Sequence, residues 1–336
     1  MTSINTERIN GWLNLDDCFK RQLGRDFRGK EDLSLNGLIE VESEGTSNKF
    51  WIIDKKTSKK IALFKETNFY SDEAYGELFS EEVAKILGMK TAHYDLAIFN
   101  NRYGVISYNF LKENEYLIYG GDILVDFYER KLENDEELCA LYGIDYNKDD
   151  LVDVITKLNN LEDIWSVIED RFRDDPNKNL IVKSFMDGLV NKLIFDILMV
   201  NHDDHSENWA ELNKELSPHF DGARSLNLHT NVSKISITDI DKIEDKALSL
   251  IVSNNEERRP LYVLDDFLKI SSIEYIDLVV EKTTALKEHI EEIPFIIEER
   301  TEHSMPVYLK NYFINTLSAH LDKIDRIIYK NSYTKH

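Results

Sequence analysis

The chain has 336 residues, 42% of them hydrophobic and 11% aromatic, so it is long and apolar enough to bury a sizeable core. Its 63 acidic and 41 basic residues give a formal net charge of −22. Such an acidic body repels polyanions, which argues against nucleic acids or anionic membranes as general binding partners. Any phosphate site must therefore be built locally, from a lysine, backbone amides and metal ions.

Targeting signals and redox motifs are absent from the sequence. The amino terminus lacks the pattern of a signal peptide, and no window approaches the roughly 18 apolar residues of a membrane span. The two cysteines, Cys18 and Cys139, match no zinc or disulfide-exchange spacing, which is typical of small core residues. We therefore expect a cytoplasmic protein without a membrane span.

The first 110 residues predict a small mixed sheet with one inserted helix. Segments of strand length and strand pattern occupy 36–42, 49–54 and 60–65, with turn signals between them. Helical spacing follows from Asp72 to Leu87, with Gly88 as the expected C-cap. The segments 93–99 and 103–110 are expected to pair as a hairpin. The strands thus begin near residue 35, and we place the first domain at residues 1–110.

Residues 111–336 predict a helical second domain. Two acidic segments, 133–143 and 148–160, are typical of solvent-facing amphipathic helices. Residues 180–199 are the most apolar helical segment and are expected to form the central helix of this lobe, because large apolar residues recur at every fourth position: Phe185, Leu189, Leu193 and Ile197. Residues 275–332 return to helical periodicity, interrupted by Pro294 and Pro306, and the tail beyond Pro306 is expected to pack on the second lobe.

A dense polar segment, VNHDDHSENW (200–209), directly follows the apolar helix. Polar groups so close to a core are costly unless something binds them. Four residues separate Asp203 from Asn208, and Asp221 follows in the segment SPHFDGARSL. Protein kinases use the same Asp-to-Asn spacing, with a further Asp downstream, because one carboxylate orients the attacking hydroxyl while a carboxamide and a second carboxylate hold Mg2+. The glycine after Asp221 is expected to be flexible.

Phosphoryl transfer also needs cations and amides near the nucleotide phosphates. Lys65 ends an apolar strand, and Glu77 on the following helix is the expected partner that holds its ammonium. The turn SEGTSNK (43–49) is short and rich in hydroxyls, so its backbone amides are candidates for covering the phosphates. The candidate residues of this turn are Gly45, Thr46, Ser47 and Lys49.

These segments together resemble the HipA-like serine/threonine kinases, a family distantly similar to phosphatidylinositol kinases. NHDDHSENW followed by LSPHFDGARSL resembles the family's active site, and the similarity extends to IALFKE and to GELFSEEVAKILGM. The resemblance implies an α+β, bilobal protein-kinase-like fold, with a small β-rich lobe containing one helix and a larger helical lobe. It implies ATP and Mg2+ as cofactors and a compact version of the fold without the family's long amino-terminal subdomain.

The resemblance also implies a role for each matched residue. Asp203 would be the catalytic base, and His205 would brace the catalytic loop. Mg2+ would be held by Asn208 and Asp221. Lys65 would bind the α- and β-phosphates while paired with Glu77. Some family members autophosphorylate a serine in the loop before the second strand, and the candidates in this loop are Ser43, Thr46 and Ser47. An unidentified protein substrate and an antitoxin or regulatory protein are the implied partners.

Two other functions remain open from the residues. Metal-dependent phosphohydrolases use clusters of His and Asp, which the pairs His202–Asp203 and Asp204–His205 provide. An ATP-binding pseudokinase that serves as an interaction module would have the same fold without phosphoryl transfer. Growth arrest as a toxin, signalling, and action as an effector are equally open as biological roles of a kinase.

Overall fold

The structure, a computed structural model, describes residues 8–15, 39–42, 49–53, 59–67, 72–132, 161–201, 208–222, 224–228, 232–234 and 259–334. The first lobe is built on one mixed sheet of seven strands, in the spatial order β1-β2-β6-β7-β5-β4-β3. In chain order the strands are β1 (Arg8–Ile9), β2 (Trp12–Asn14), β3 (Ile39–Glu42), β4 (Lys49–Ile53), β5 (Lys60–Glu66), β6 (His93–Phe99) and β7 (Arg102–Tyr108). Only β2 and β6 run parallel among these neighbours; the other pairs are antiparallel.

The expectation that strands begin near residue 35 is wrong, because β1 and β2 precede that point. Asn10 and Gly11 both have positive φ, 50° and 85°, and join these strands in a two-residue hairpin. Left-handed conformations at both turn positions match the right-handed twist of the strands, and Asn-Gly is a strong sequence signal for that turn. The hairpin then extends the sheet by pairing β2 with β6.

The single helix of this lobe, α1 (Glu73–Ile86), lies between β5 and β6, as the helical spacing predicts. Gly88 ends it in the left-handed conformation, with φ of 76°, and the Met89 amide donates to the Ala84 carbonyl over 2.9 Å. The hairpin β6–β7 is also as predicted, with Asn100 and Asn101 at positive φ in its turn.

The second lobe is mainly helical. It also contains a short sheet of three strands in the order β10-β9-β8. Its described elements are β8 (Ile118–Tyr119), α2 (Gly120–Leu132), α3 (Leu161–Arg171), α4 (Lys178–Met199), β9 (Ala210–Leu212), β10 (Glu215–Leu216), α5 (Pro260–Ile270), α6 (Ile273–His289), α7 (Ile293–Thr301) and α8 (Val307–Thr334).

Helix α4 is the centre of the second lobe, as predicted. It packs against α3, α5, α6, α8 and β10. Its periodic apolar side chains are almost completely inaccessible to solvent: Phe185, Leu189, Leu193 and Ile197. Pro294 lies in the first turn of α7 and Pro306 directly precedes α8, positions that require no backbone N–H donor from proline. The two prolines therefore separate helices of the tail rather than disrupting one.

The predicted α+β fold of two lobes is confirmed by this architecture. The tail is expected to pack on the second lobe, but α7 and α8 contact α1 of the first lobe as well. The acidic segments 133–143 and 148–160, and both cysteines, lie outside the described residues. Residue 110 as the domain boundary stays a prediction. None of the helices in the described ranges has the length and apolar character needed to cross a bilayer.

Candidate active site

The ammonium of Lys65 lies between two carboxylates that come from different parts of the chain. Its Nζ is 3.0 Å from Oε1 of Glu77 on α1 and 2.7 Å from Oδ1 of Asp221, which follows β10. Asp221 is 156 residues away in sequence, so only the assembled fold brings the three side chains together. Three residues predicted for the site are thus in contact, with a cation at the centre.

The alternation of side chains along β5 determines which way Lys65 points. Ala62 and Phe64 are buried in an apolar cluster on one face of the sheet, and Lys65 lies on the other face. Lys65 pairs directly with Lys49 of the neighbouring strand β4. Directly opposed residues have Cβ atoms about 5 Å apart and on the same face, so the sheet presents two adjacent lysines there. Such a pair is unfavourable alone and suits a multiply charged anion.

Glu77 is a fully buried carboxylate whose two oxygens both have donors. Oε1 is close to the Lys65 ammonium, and Oε2 accepts the Gly222 amide over 2.8 Å. Burial raises the pKa of Glu77, and the nearby Lys65 charge opposes that rise. For the ammonium of Lys65, burial has the opposite sign and lowers the pKa. The charges of Asp221 and Glu77 outweigh burial and keep the pKa of Lys65 well above its ordinary value. Lys65 is therefore a permanent cation at physiological pH.

Gly222 lets the chain after Asp221 approach α1 closely. A Cβ atom at residue 222 would lie 2.3 Å from Oγ and 2.5 Å from Cβ of Ser80, so no side chain fits there. The expectation that this glycine is flexible is wrong: it is buried, and its amide is fixed by Glu77. Asp221 itself has a φ of 64°, a left-handed conformation that Asp tolerates better than most residues.

Tyr94 of β6 supports Asp221 from the sheet. Its hydroxyl accepts the Asp221 amide over 3.1 Å, and its side chain is almost fully buried. Burial, followed by the charge of Glu77, raises the pKa of Tyr94 well above its ordinary value. Neither Tyr94 nor Ser80 is marked by a motif, since a tyrosine in an apolar strand and a serine in a helix look like ordinary core residues. Gly222 is marked only by its adjacency to Asp221.

Asn208 lies at the start of the second-lobe hairpin β9–β10. The turn of this hairpin lies between Leu212 and Glu215, which pair with each other. Asn208, before β9, and Asp221, after β10, therefore both lie on the side of the hairpin opposite its turn. The Asn208 side chain is buried. Several predicted site residues lie outside the described part of the chain, and their roles stay predictions: Ser43, Gly45, Thr46, Ser47, His202, Asp203, Asp204 and His205.

The donor set of Asn208 and Asp221 fits a hard divalent cation. Both side chains offer oxygen atoms, the ligands that Mg2+ prefers. The Asp221 side chain is 46% exposed, and its Oδ1 faces Lys65. Within the described ranges, no three His, Cys, Asp or Glu side chains are grouped closely enough to hold a metal ion. The residues of the phosphohydrolase alternative fall outside those ranges, so that alternative stays open.

Comparison with solved structures shows which fold the chain has. Over 88% of its length the chain is similar to the proinflammatory kinase CtkA of Helicobacter pylori, covering 95% of that chain with a TM-score of 0.63 and 18% identity. The chain therefore has a kinase-like fold. It is also similar to HipA in the toxin–antitoxin complex of HipA, HipB and operator DNA from Shewanella oneidensis MR-1, with a TM-score of 0.50 and 14% identity, covering 92% of this chain and 70% of that one.

Sequence comparison alone does not detect this relationship. No protein-family model matches the chain, and no curated protein matches it significantly. At 14% and 18% identity the structural likeness shows the fold, and the predicted kinase-like fold class is confirmed by it. What the site does is a separate question, which depends on its own residues.

Proposed function

We propose that the chain is an ATP-dependent serine/threonine protein kinase of HipA-like type. The observation that carries the proposal is the Lys65 ammonium, held between buried Glu77 on α1 and half-exposed Asp221. In protein kinases a strand lysine pairs with a helix glutamate while a nearby aspartate holds the metal, and all three must be in place for phosphoryl transfer. A purely structural ion pair would not require a left-handed Asp at one end and an excluded side chain at the next position.

The nucleotide phosphates would be bound by the lysines of the sheet. Lys65 would contact the α- and β-phosphates, with Lys49 across the strand pair as a second cation on the same face. The backbone amides of Gly45, Thr46 and Ser47 would cover the phosphates from above. Because the chain carries a net charge of −22, this local pair of cations supports anion binding where the protein as a whole repels it.

Phosphoryl transfer would depend on residues at the base of the second lobe. Asp203 would accept a hydrogen bond from the substrate hydroxyl and align it for attack, and His205 would brace that loop. Asn208 and Asp221 would hold Mg2+, which when bound supplies positive charge against the charge developing on the phosphoryl group. Gly222 and Tyr94 would keep Asp221 in place through the two backbone contacts described above.

The substrate and partners belong to the same proposal. The acceptor would be a serine or threonine of an unidentified protein, and Ser43, Thr46 and Ser47 are candidates for autophosphorylation. HipA, the solved relative, occurs with HipB and operator DNA. By analogy, an antitoxin-like or regulatory protein is a proposed partner of this chain in the cytoplasm, whereas its acidic charge disfavours direct contact with DNA.

The test is incubation with γ-labelled ATP and Mg2+, followed by intact mass measurement and peptide mapping. Wild type is compared with Asp203→Ala, with Asp221→Ala and with Asp277→Ala, which removes an exposed carboxylate on α6 as a control. We expect phosphate incorporation in the wild type and in Asp277→Ala. The rate of phosphate incorporation in Asp221→Ala is expected to fall about 100-fold or more, because catalysis of this type depends on electrostatic stabilisation in the site.

Each alternative function has its own outcome. Near-normal transfer by Asp221→Ala would contradict the assignment of that residue. If ATP with Mg2+ raises the melting temperature but no phosphate is transferred to the chain or to a generic protein acceptor, the protein is either a pseudokinase or a kinase that lacks its own substrate in the assay. Hydrolysis of a phosphate ester without nucleotide binding, lost in Asp203→Ala, would favour the phosphohydrolase.

A further inference from the structure

Helix α1, which carries Glu77, is enclosed by the last two helices of the chain. The rings of Phe79 on α1 and Phe313 on α8 stack with centroids 4.0 Å apart and an interplanar angle of 8°, and both are completely buried. At the start of α1, the Tyr308 hydroxyl donates to Oδ1 of Asp72 over 2.9 Å. The position of α1 is therefore determined by the carboxyl-terminal helices as well as by the sheet.

Arg300 on α7 joins this interface to a buried carboxylate of α1. Its Nη1 is 2.9 Å from Oε2 of Glu81 and 2.7 Å from Oε1 of Glu82. The Glu81 side chain is only 1% exposed, so water cannot solvate its carboxylate if Arg300 is removed. Burial would raise the pKa of Glu81, but the hydrogen bond from His93 and the charge of Arg300 hold it at about 2.

The Glu81 carboxylate lies one helical turn after Glu77 and links α1 to the strand that supports Asp221. Residues four apart lie on the same face of a helix. Glu81 also accepts the backbone amide of Tyr94 over 3.0 Å, and the Tyr94 hydroxyl accepts the amide of Asp221. A displacement of Glu81 therefore affects Glu77 through the helix and Asp221 through Tyr94.

The chain segment that carries Arg300 is itself fixed by the first hairpin. The imidazole Nδ1 of His303 donates to the Asn10 carbonyl over 2.6 Å. Gly11 lies so close to His303 that a Cβ at residue 11 would be 2.3 Å from the His303 Cβ. Arg8 of the same hairpin pairs with Asp95 of β6 over 2.6 Å. Arg300 thus projects from a segment that is anchored to the sheet and cannot follow α1 if α1 moves.

We propose that Arg300 is a positioning residue for the Lys65–Glu77 pair, and that residues 300–303 form a latch that holds α1 in its competent position. The inference rests on the proposed kinase function for its effect on catalysis, but the latch itself is a structural claim. Arg300 contacts no site residue directly. It acts through Glu81, and its loss is expected to let the turn of α1 that contains Glu77 move away from Lys65.

Lys85 provides a matched control. Its Nζ is 2.7 Å from Oε1 of Glu81 and 2.9 Å from Oε1 of Glu82, so it pairs with the same two carboxylates as Arg300. Lys85 belongs to α1 itself, however, and its side chain is 44% exposed. Lys85→Met removes one cation from the carboxylates without separating α1 from α7, whereas Arg300→Met removes a cation and the connection.

The experiment compares wild type, Arg300→Met, Lys85→Met and Arg300→Lys by amide hydrogen exchange of α1 and by kcat and KM for ATP. In Arg300→Met we expect faster exchange along residues 76–84 and a drop in kcat of about tenfold or more, since small misplacements of catalytic groups are costly. The kcat and the α1 exchange rates of Lys85→Met are expected to stay within about twofold of the wild-type values. A single nitrogen of Arg300 makes both contacts, so Arg300→Lys is expected to recover most of the activity.

The outcomes separate the latch from the proposed function. Arg300→Met with unchanged exchange and unchanged kcat would overturn the latch, as would equal losses in Arg300→Met and Lys85→Met. If Arg300→Met does not fold, Arg300→Gln, which keeps a hydrogen-bond donor on a shorter and uncharged side chain, is measured by the same criteria. If the wild type neither binds nor transfers phosphate from ATP, the kinase proposal fails, while the exchange comparison still decides for or against the latch.

Discussion

Replacing Lys65 by methionine is expected to destabilise the protein in a pH-dependent way. The substitution keeps an unbranched apolar side chain, one atom shorter than lysine, and removes the cation 3.0 Å from Glu77 and 2.7 Å from Asp221. Asp221 is half-exposed, so solvent compensates for most of its loss. Glu77 is completely buried and keeps the Gly222 amide as a donor. The cost therefore arises mainly at Glu77.

The magnitude follows from the state of that buried carboxylate. Removing one partner of a buried ion pair costs about 3–5 kcal/mol, and the solvated Asp221 side chain places this case at the lower end, near 3 kcal/mol at pH 8. Burial already raises the pKa of Glu77, and loss of Lys65 removes the charge that opposes this rise. A carboxyl with a raised folded-state pKa contributes stability at low pH that is lost as pH rises through that pKa.

The deficit of Lys65→Met relative to wild type is therefore expected to grow from about pH 4.5 upward and to be small near pH 5. At about 2 °C per kcal/mol, it corresponds to a melting temperature about 6 °C lower at pH 8. Lys183→Met removes a lysine from an exposed pair with Asp187 and serves as the control, with an expected change near zero at both pH values.

Thermal unfolding of five proteins at pH 5 and pH 8 tests this reasoning: wild type, Lys65→Met, Glu77→Gln, the double variant and the Lys183→Met control. Because the double variant leaves no unpaired buried charge, it is expected to recover about half or more of the stability lost in Lys65→Met. A deficit of equal size at pH 5 and pH 8, or a double variant as unstable as Lys65→Met, would refute the claim that an uncompensated Glu77 charge causes the loss.

Three further predictions concern the contacts around Asp221 and α1. Gly222→Ala is expected to lower unfolding stability by about 1–3 kcal/mol through its clash with Ser80 and to reduce phosphoryl transfer, and a neutral effect in denaturant unfolding would contradict the close approach. Tyr94→Phe removes the hydroxyl that accepts the Asp221 amide, so we expect a loss of about 1 kcal/mol of unfolding stability and a reduced kcat; an unchanged kcat would count against the support role. Glu81→Gln removes a carboxylate with a pKa of about 2, which stabilises the folded protein above pH 4.5 and loses this effect as the pH falls toward 2. We expect the variant to be about 3 kcal/mol less stable than wild type at pH 7, and the difference in melting temperature to shrink between pH 4.5 and pH 2. A difference that stays constant with pH would contradict the ionic origin.

Local patterns predict the elements whose side chains face the core. The alternation along residues 60–65 reflects burial of one face of β5, and the apolar side chains from Phe185 to Ile197 lie in the core of the second lobe. The first hairpin carries a strong local turn signal in Asn10–Gly11. Its pairing with β6, however, joins Leu13 to Ala97 across the chain, and no local pattern specifies that contact.

The candidate site divides in the same way. Residues proposed to carry chemistry, such as Lys65 and Asp221, are recognisable because their types and spacing resemble those used for phosphoryl transfer in protein kinases. Residues that hold them in place, such as Ser80 and Tyr94, have ordinary types, and their importance depends on distances that only the folded chain defines. The position of Glu77 opposite Lys65 is intermediate, since neighbouring glutamates on α1 have the same residue type but different contacts.

The contact between α1 and the last helices has a consequence for how the chain is made. Arg300 and Glu82 are 218 residues apart, so at about 5–20 residues per second the helix waits roughly 10–45 s during synthesis before its partner exists. Until α8 is complete, the ring of Phe79 lacks the stacked ring of Phe313 that covers it. The nascent amino-terminal lobe is thus expected to need chaperone protection. In a protein that ends before Val307, the amino-terminal lobe is expected to lose its folded structure although its own residues are all present.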